Sequence, residues 1–77
     1  MSKFPSYVQL EIEEDRNKFD PIGNLHEGYA VLLEEVDELW DEVRKQPSVR
    51  RKSDVMSELV QIAAMAQRIA EDLEYVT

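Results

Sequence analysis

Residues 24–46, NLHEGYAVLLEEVDELWDEVRKQ, carry the most regular apolar pattern in the chain. Asn24 is a favourable N-cap residue, and Glu27 follows it at the capping-box spacing. From there, apolar residues recur at alternating steps of four and three. They are Leu25, Tyr29, Leu32, Val36, Leu39 and Val43. This spacing predicts one amphipathic helix that runs to Gln46.

A shorter and less regular helix is predicted over residues 6–19. Pro5 and the 20–23 stretch break the chain on either side of it, and Ser6 is its expected N-cap. Its apolar stripe consists of Val8, Ile12 and Phe19.

A third helix is predicted after Pro47, with Ser48 or Ser53 as its cap and an end near Leu73. It has two adjacent apolar stripes. One is Val55, Leu59, Ile62, Ala66, Ile69 and Leu73; the other is Met56, Val60, Ala63 and Ala70. A helix that is apolar on two sides must pack against more than one neighbour.

These patterns predict an all-α fold: an antiparallel bundle of about three helices forming a single domain over residues 1–77. A chain of 77 residues buries a modest core, so oligomerisation as a homodimer or homotetramer is expected to complete it. The small residues Ala63, Ala64, Ala66 and Ala70 are expected to allow close approach of another subunit. The alternative is a monomeric three-helix bundle that packs its alanine-rich face internally.

The composition restricts the classes of partner. Seventeen acidic and nine basic residues give a net charge of −8, which disfavours nucleic acid. With no cysteine and only His26, a disulfide framework or zinc site is not expected. No apolar run reaches the roughly 20 residues of a membrane span, and the first ten residues lack a signal-peptide pattern. No membrane partner is therefore expected, and the cytoplasm is the expected compartment.

The carboxylates of the second and third helices are placed to meet. Glu35 and Glu38 lie about 60° apart on one side of the second helix, at 100° per residue. Glu58 falls within the apolar sector of the third helix, and Gln61 points to the same side. If the two helices pack antiparallel, these oxygens form a cage suited to a hard cation such as Mg²⁺, with Mn²⁺ as a substitute. The alternatives are a solvated charge run, or a salt bridge from Glu58 to an arginine of another chain.

Residues 26–40, HEGYAVLLEEVDELW, and residues 58–66, ELVQIAAMA, together resemble the MazG-like all-α nucleoside triphosphate pyrophosphohydrolases. That family carries Glu-Glu-x-x-Glu on one helix and Glu-x-x-Asp on the next. The resemblance covers residues 25–73. It implies a magnesium-dependent enzyme that cleaves a nucleoside triphosphate to a monophosphate and pyrophosphate, with a house-cleaning role and a dimeric or tetrameric assembly.

The resemblance also implies roles for individual residues. Glu35, Glu38 and Glu58 match the metal ligands of the family, and Gln61 stands where most members have an aspartate ligand. Glu34 matches the first glutamate of the motif, which implies that it binds a further metal or orients the attacking water. Glu34 and Glu38 are therefore the candidate catalytic residues.

Four further residues are candidates for binding substrate. Arg68 shares a side of its helix with Gln61, and Lys18 is a second cation within reach of a triphosphate. Trp40 is a candidate for stacking on a base, and His26 lies in the first turn of its helix. Each candidate has an alternative without a substrate role. Arg68 would be a surface arginine, Lys18 a solvated lysine and Trp40 a core residue. His26 would be an ordinary residue at the start of its helix.

Two other functions are compatible with the sequence. One is a phosphoribosyl-ATP pyrophosphohydrolase-like enzyme, which should have a more basic substrate groove. The other is a non-catalytic helical interaction module that has lost the aspartate at position 61.

Overall fold

The computed structural model describes residues 2–76, which form three helices with no strand among them. They are α1 (Phe4–Lys18), α2 (Leu25–Val43) and α3 (Lys52–Asp72). The all-α prediction is therefore confirmed. None of the helices in this part of the chain is long and apolar enough to cross a membrane.

Helix α2 begins where its capping residues predict. The Asn24 side-chain oxygen accepts a hydrogen bond from the Glu27 N–H at 2.8 Å, and Glu27 in turn accepts one from the Gly23 N–H at 2.9 Å. These contacts satisfy the Glu27 N–H, which the first turn leaves unpaired, and the Gly23 N–H just before the helix.

The end of α2 falls at Val43, three residues before the predicted Gln46. The Arg50 guanidinium donates hydrogen bonds to the carbonyls of Val43 and Lys45 at 2.6 and 2.8 Å, and to that of Glu42 at 3.2 Å. An arginine from outside the helix thus satisfies carbonyl groups where the helix terminates.

The predicted start of α1 at Ser6 is wrong by two residues, because the helix begins at Phe4 and includes Pro5 in its first turn. Proline is tolerated there since its missing N–H would have no helical acceptor. Phe19 lies beyond the helix end and is exposed, so the predicted α1 stripe is reduced to its two buried residues, Val8 and Ile12.

The predicted capping of α3 is also wrong. Its N-cap position is Arg51, which makes no side-chain capping bond, and Ser53 lies inside the first turn. Ser48 lies in the preceding turn. Helix α3 therefore begins at Lys52, between the two starts that the serine caps predict.

Helix α3 is central, because α1 and α2 each pack against it and no Cα of α1 comes within 8 Å of α2. This arrangement agrees with the prediction that α3 needs two neighbours. The core between α1 and α3 contains Val8, Ile12, Val60 and Ala64, flanked by Phe4 and Ala63. Ala64 is completely buried there, so the expectation that it meets another subunit is wrong; its small side chain instead permits close approach of helix α1.

Close packing of α2 on α3 depends on Gly28. A Cβ atom at that position would lie 2.9 Å from Ile69 Cγ1, nearer than side chains normally approach. Because Gly28 is near the start of α2 and Ile69 is near the end of α3, the two helices run antiparallel, as predicted.

An ion-pair network joins the end of α1 to the end of α3. Arg16 donates to Asp72 at 2.6 Å and to Glu71 at 2.7 Å, while Asp72 also accepts from the Ile22 N–H at 2.9 Å. Burial opposes ionisation of Asp72, but the hydrogen bonds from Arg16 and Ile22 outweigh it and lower the pKa of this carboxyl. The network fixes where the α1–α2 connection crosses α3.

The apolar stripe of α2 is largely uncovered, although the apolar side of an amphipathic helix normally faces a core. Tyr29 is 66% exposed, and Leu25, Val36 and Val43 are exposed as well. Only one flank of α2 meets α3, and α1 lies too far away to cover the rest. Trp40 is 59% exposed, which contradicts its alternative assignment as a core residue.

Candidate metal centre

Three carboxylates converge where α2 packs on α3. Glu35 and Glu38 lie one turn apart on α2, and Glu58 faces them from α3. One oxygen from each of the three residues lies within 4.8 Å of the others. The antiparallel packing thus brings together the three carboxylates that the helical spacing predicts, and we call them the carboxylate cluster.

Two oxygens of this cluster are buried without a hydrogen-bond partner. They are Oε2 of Glu35 and Oε2 of Glu58. Leaving a buried polar group unpaired costs about 1 to 3 kcal/mol, and more when the group is charged. The cluster therefore presents oxygens that a cation would satisfy.

Burial and repulsion both disfavour the ionised states of Glu35 and Glu58. Burial raises the pKa of Glu35, and the negative charges of Glu38 and Glu58 raise it further, to about 7. Burial followed by the charge of Glu38 likewise raises the pKa of Glu58. An oxygen-only set of this kind fits a hard divalent ion such as Mg²⁺ or Mn²⁺, so the residues present fit the predicted metal.

Gln61 lies one turn beyond Glu58 and is half-buried. Its amide nitrogen donates to Ser57 Oγ at 3.4 Å, a contact within α3. This bond uses the nitrogen and leaves the amide oxygen as the atom able to coordinate a cation.

A groove of about 500 Å³ begins beside the cluster and runs between α1 and α2, with α3 as its floor. Its charged lining side chains are six carboxylates and one arginine. They are Glu11, Asp15, Asp20, Glu27, Glu34, Glu35 and Arg68. Apolar lining is provided by Phe19, Ile22, Val31 and Met65, and Gln61 also contributes. The volume falls within the range of small-molecule sites.

The α1 wall of this groove was not predicted from the sequence. Glu11 and Asp15 are four residues apart and therefore share one face of α1, which is the signal that could have indicated it. Burial raises the pKa of Glu11, and the charges of Asp15 and Glu14 add to the effect. The groove is thus acidic along both walls.

Arg68 lies on the groove floor and is only 4% exposed, so it is not a surface arginine. Its Nη1 atom lies 3.6 Å from Asp15 Oδ2 and 3.9 Å from Met65 Sδ. Its Nη2 donates to the Asp20 carbonyl at 3.4 Å, and its Nε has no partner. These contacts are long for a guanidinium, which normally approaches oxygen at about 2.7 to 2.9 Å.

Of the four other predicted site residues, only Glu34 lines the groove. Glu34 is exposed and lines the groove, whereas Lys18 lies in the last turn of α1 outside the lining. Trp40 follows Glu35 by five residues, which places it about 140° around the helix, away from the lining. His26 precedes Glu35 by nine residues, on the opposite side of α2, beside Leu25 and Tyr29. Within one chain, the structure does not bring Trp40 or His26 to the groove.

No protein-family model matches the chain, and no solved structure matches it either. The resemblance to MazG-like enzymes remains a prediction from the two motifs and their spacing.

Proposed function

We propose that the chain is a magnesium-dependent nucleoside triphosphate pyrophosphohydrolase. The observation that carries the proposal is the meeting of Glu35, Glu38 and Glu58, with two unpaired buried oxygens, at the edge of a groove large enough for a nucleotide. The paired motifs that resemble the MazG-like family supply the reaction class.

The proposed reaction adds water to the α-phosphorus and releases pyrophosphate. Glu35, Glu38 and Glu58 would hold Mg²⁺, with the Gln61 amide oxygen as a neutral fourth ligand. When bound, Mg²⁺ supplies positive charge to the triphosphate and lowers the pKa of water. Glu34 lines the groove beside Glu35. In this proposal it would orient the attacking water and accept its proton, with Glu38 as the second candidate base.

Product identification tests the reaction class. The protein would be incubated with a panel of canonical and damaged deoxynucleoside triphosphates in Mg²⁺, and phosphorus NMR would follow the products. We expect a monophosphate and pyrophosphate from at least one substrate, activity with Mn²⁺, and none with a chelator. Orthophosphate as the only product would contradict cleavage at the α-phosphorus.

The structure bears differently on the two alternative functions, the phosphoribosyl-ATP pyrophosphohydrolase-like enzyme and the non-catalytic module. The acidic groove disfavours a phosphoribosyl-ATP pyrophosphohydrolase-like enzyme, for which a basic groove is expected. A non-catalytic helical module is supported by the neutral Gln61. A thermal melt separates this module from the enzyme, since millimolar Mg²⁺ should raise the melting temperature only if the cluster binds the ion.

Replacing Gln61 with Asp is expected to tighten Mg²⁺ binding about tenfold. The added charge attracts the ion, but desolvation and repulsion from the carboxylate cluster reduce the net gain to about 1 to 2 kcal/mol. In a chelator, the same substitution should destabilise the fold. Calorimetric titration of both proteins with Mg²⁺ measures the change.

Gln67→Asp is the matched control because it adds the same charge at an exposed position of α3. It should leave the Mg²⁺ dissociation constant nearly unchanged, since solvent screens its charge. An unchanged constant in Gln61→Asp as well would remove Gln61 from the metal ligands.

We also infer that the protein is a homodimer or homotetramer whose subunits meet through the uncovered stripe of α2. Tyr29, Trp40 and the exposed aliphatic residues between them form an apolar surface on an otherwise strongly charged chain. Exposed apolar residues that lie together in this way are typical of an association site, whereas single scattered ones are ordinary on a free surface.

Sedimentation at micromolar protein concentration should reveal a dimer or tetramer. Tyr29→Glu is expected to shift the population towards monomer because it places a charge in the interface. Tyr75→Glu alters a comparably exposed tyrosine near the end of the chain and should leave the assembly intact. A 9.0 kDa wild-type species at that concentration would contradict the proposed assembly.

A further inference from the structure

The end of the groove farthest from the carboxylate cluster contains the buried arginine, Arg68. Arg68 follows Gln61 by seven residues, so it faces nearly the same side of α3 about 10 Å farther along. Phe19 and Ile22 line this end of the groove with Arg68 and Asp15. If triphosphate occupies the cluster end, this spacing leaves room for a ribose before Arg68.

The electrostatics at Arg68 disfavour a second phosphate. Its positive charge already has Asp15 as a counter-ion at 3.6 Å, and Glu11, Asp20 and Glu27 line the same groove. The local charge is therefore negative, which repels an anion. What Arg68 still offers is hydrogen-bond donation, since its buried Nε has no partner and its other contacts are long.

The side chains around Arg68 suit a neutral aromatic ring. Asp15 accepts hydrogen bonds and Arg68 donates them, so the pair is complementary to an edge that has an amino group beside a ring acceptor. The Phe19 ring is 60% exposed at the rim and is available for stacking, while Met65 and Ile22 add apolar contact.

We infer that Arg68 and Asp15 bind the nucleobase of the substrate, not its triphosphate, and favour a base that carries an exocyclic amino group. The inference rests on the proposed function for the identity of the ligand as a nucleotide. Among pyrimidines it predicts cytosine over uracil. Uracil would place a carbonyl against Asp15 and an N–H against Arg68, so both contacts would become repulsive.

Binding of nucleosides tests this inference without any hydrolysis. The wild-type chain in a chelator would be titrated with deoxycytidine and deoxyuridine, and amide chemical shifts would be followed by NMR. We expect deoxycytidine to bind at least tenfold more tightly and to shift amides near Arg68. Equal affinities, or no shifts with either nucleoside at millimolar concentration, would overturn the assignment.

Substitutions separate a direct contact from a structural effect. Arg68→Lys should weaken deoxycytidine binding at least tenfold, and Asp15→Asn should reduce the preference over deoxyuridine even if Arg68→Lys fails to fold. Glu13→Gln is the control, since Glu13 is exposed on the same helix and does not line the groove. A preference that survives Asp15→Asn unchanged would remove Asp15 from the base site.

Failure of this inference is distinguishable from failure of the proposed function. Pyrophosphate release without selective nucleoside binding would preserve the hydrolase and reject the base site. Selective, Asp15-dependent nucleoside binding without hydrolysis of any triphosphate would preserve the base site and reject the hydrolase. Inorganic pyrophosphate is a third probe: in the chelator, Arg68-dependent binding of it would assign Arg68 to phosphate and overturn the inference.

Discussion

Glu35→Gln, Glu38→Gln and Glu58→Gln are each expected to lower the rate of magnesium-dependent pyrophosphate release by about two to four orders of magnitude. Such a loss corresponds to roughly 3 to 5 kcal/mol of transition-state stabilisation. The physical reason is that each substitution removes one negative oxygen from the set that would hold the ion. Steady-state assays at saturating Mg²⁺, with circular dichroism to check the fold, provide the measurement.

Asp37→Asn is the control for this series. Asp37 lies on α2 between Glu35 and Glu38 in sequence, but it is exposed and does not belong to the carboxylate cluster. Its substitution should leave the rate within about twofold of wild type. Near wild-type rates in all three cluster variants would mean that the catalytic site is elsewhere.

The metal-free protein is expected to lose stability as the pH rises from about 4.5 to about 7. The pKa of Glu35 is raised from 4.5 to about 7 in the folded chain, so the folded state holds this proton over a range where the unfolded state has released it. The contribution is fully present below pH 4.5 and is lost as the pH rises through 7. At about 1.4 kcal/mol per pKa unit, the full shift corresponds to about 3 kcal/mol. Because Glu35 is only partly buried, solvent screening reduces the expected loss to about 1 to 2 kcal/mol.

Urea denaturation in a chelator at pH 5 and pH 8 measures this effect. Glu35→Gln should remove most of the pH dependence and should be more stable than wild type at pH 8. Glu34→Gln removes a charge from the adjacent, exposed position and should retain the wild-type pH dependence. A wild-type free energy of unfolding that is no lower at pH 8 than at pH 5 would contradict the repulsive cluster.

The features that were predictable from the sequence are those that depend on neighbours along one helix. Asn24 and Glu27 form the α2 cap through local hydrogen bonds, so their spacing was sufficient. The carboxylate cluster was predictable because helical geometry fixes Glu35 relative to Glu38, and one short connection brings α3 alongside. Both the cap and the cluster depend on few contacts between distant segments of the chain.

The features that were not predictable depend on contacts between distant segments. The carbonyls at the end of α2 accept hydrogen bonds from Arg50, which no pattern inside the helix indicates. Tyr29 and Val36 belong to the regular apolar spacing, yet they are exposed because α1 packs against α3 and not against α2. The same placement of α1 creates the second wall of the groove. The spacing of Glu11 and Asp15 indicates that they share a face of α1, but their position opposite α2 depends on this long-range packing.

The separation of α1 from α2 couples ligand binding in the groove to the docking of α1 on α3. Because no Cα of α1 lies within 8 Å of a Cα of α2, α1 can move away from α3 and remove one wall of the groove without breaking a backbone contact with α2. A ligand that contacts both walls binds only the docked form, and at one hundred times its dissociation constant it favours that form by about 2.7 kcal/mol. Local opening of α1 and ligand release are then linked equilibria, and a bound nucleotide would hold together two helices that have no Cα atoms within 8 Å of each other.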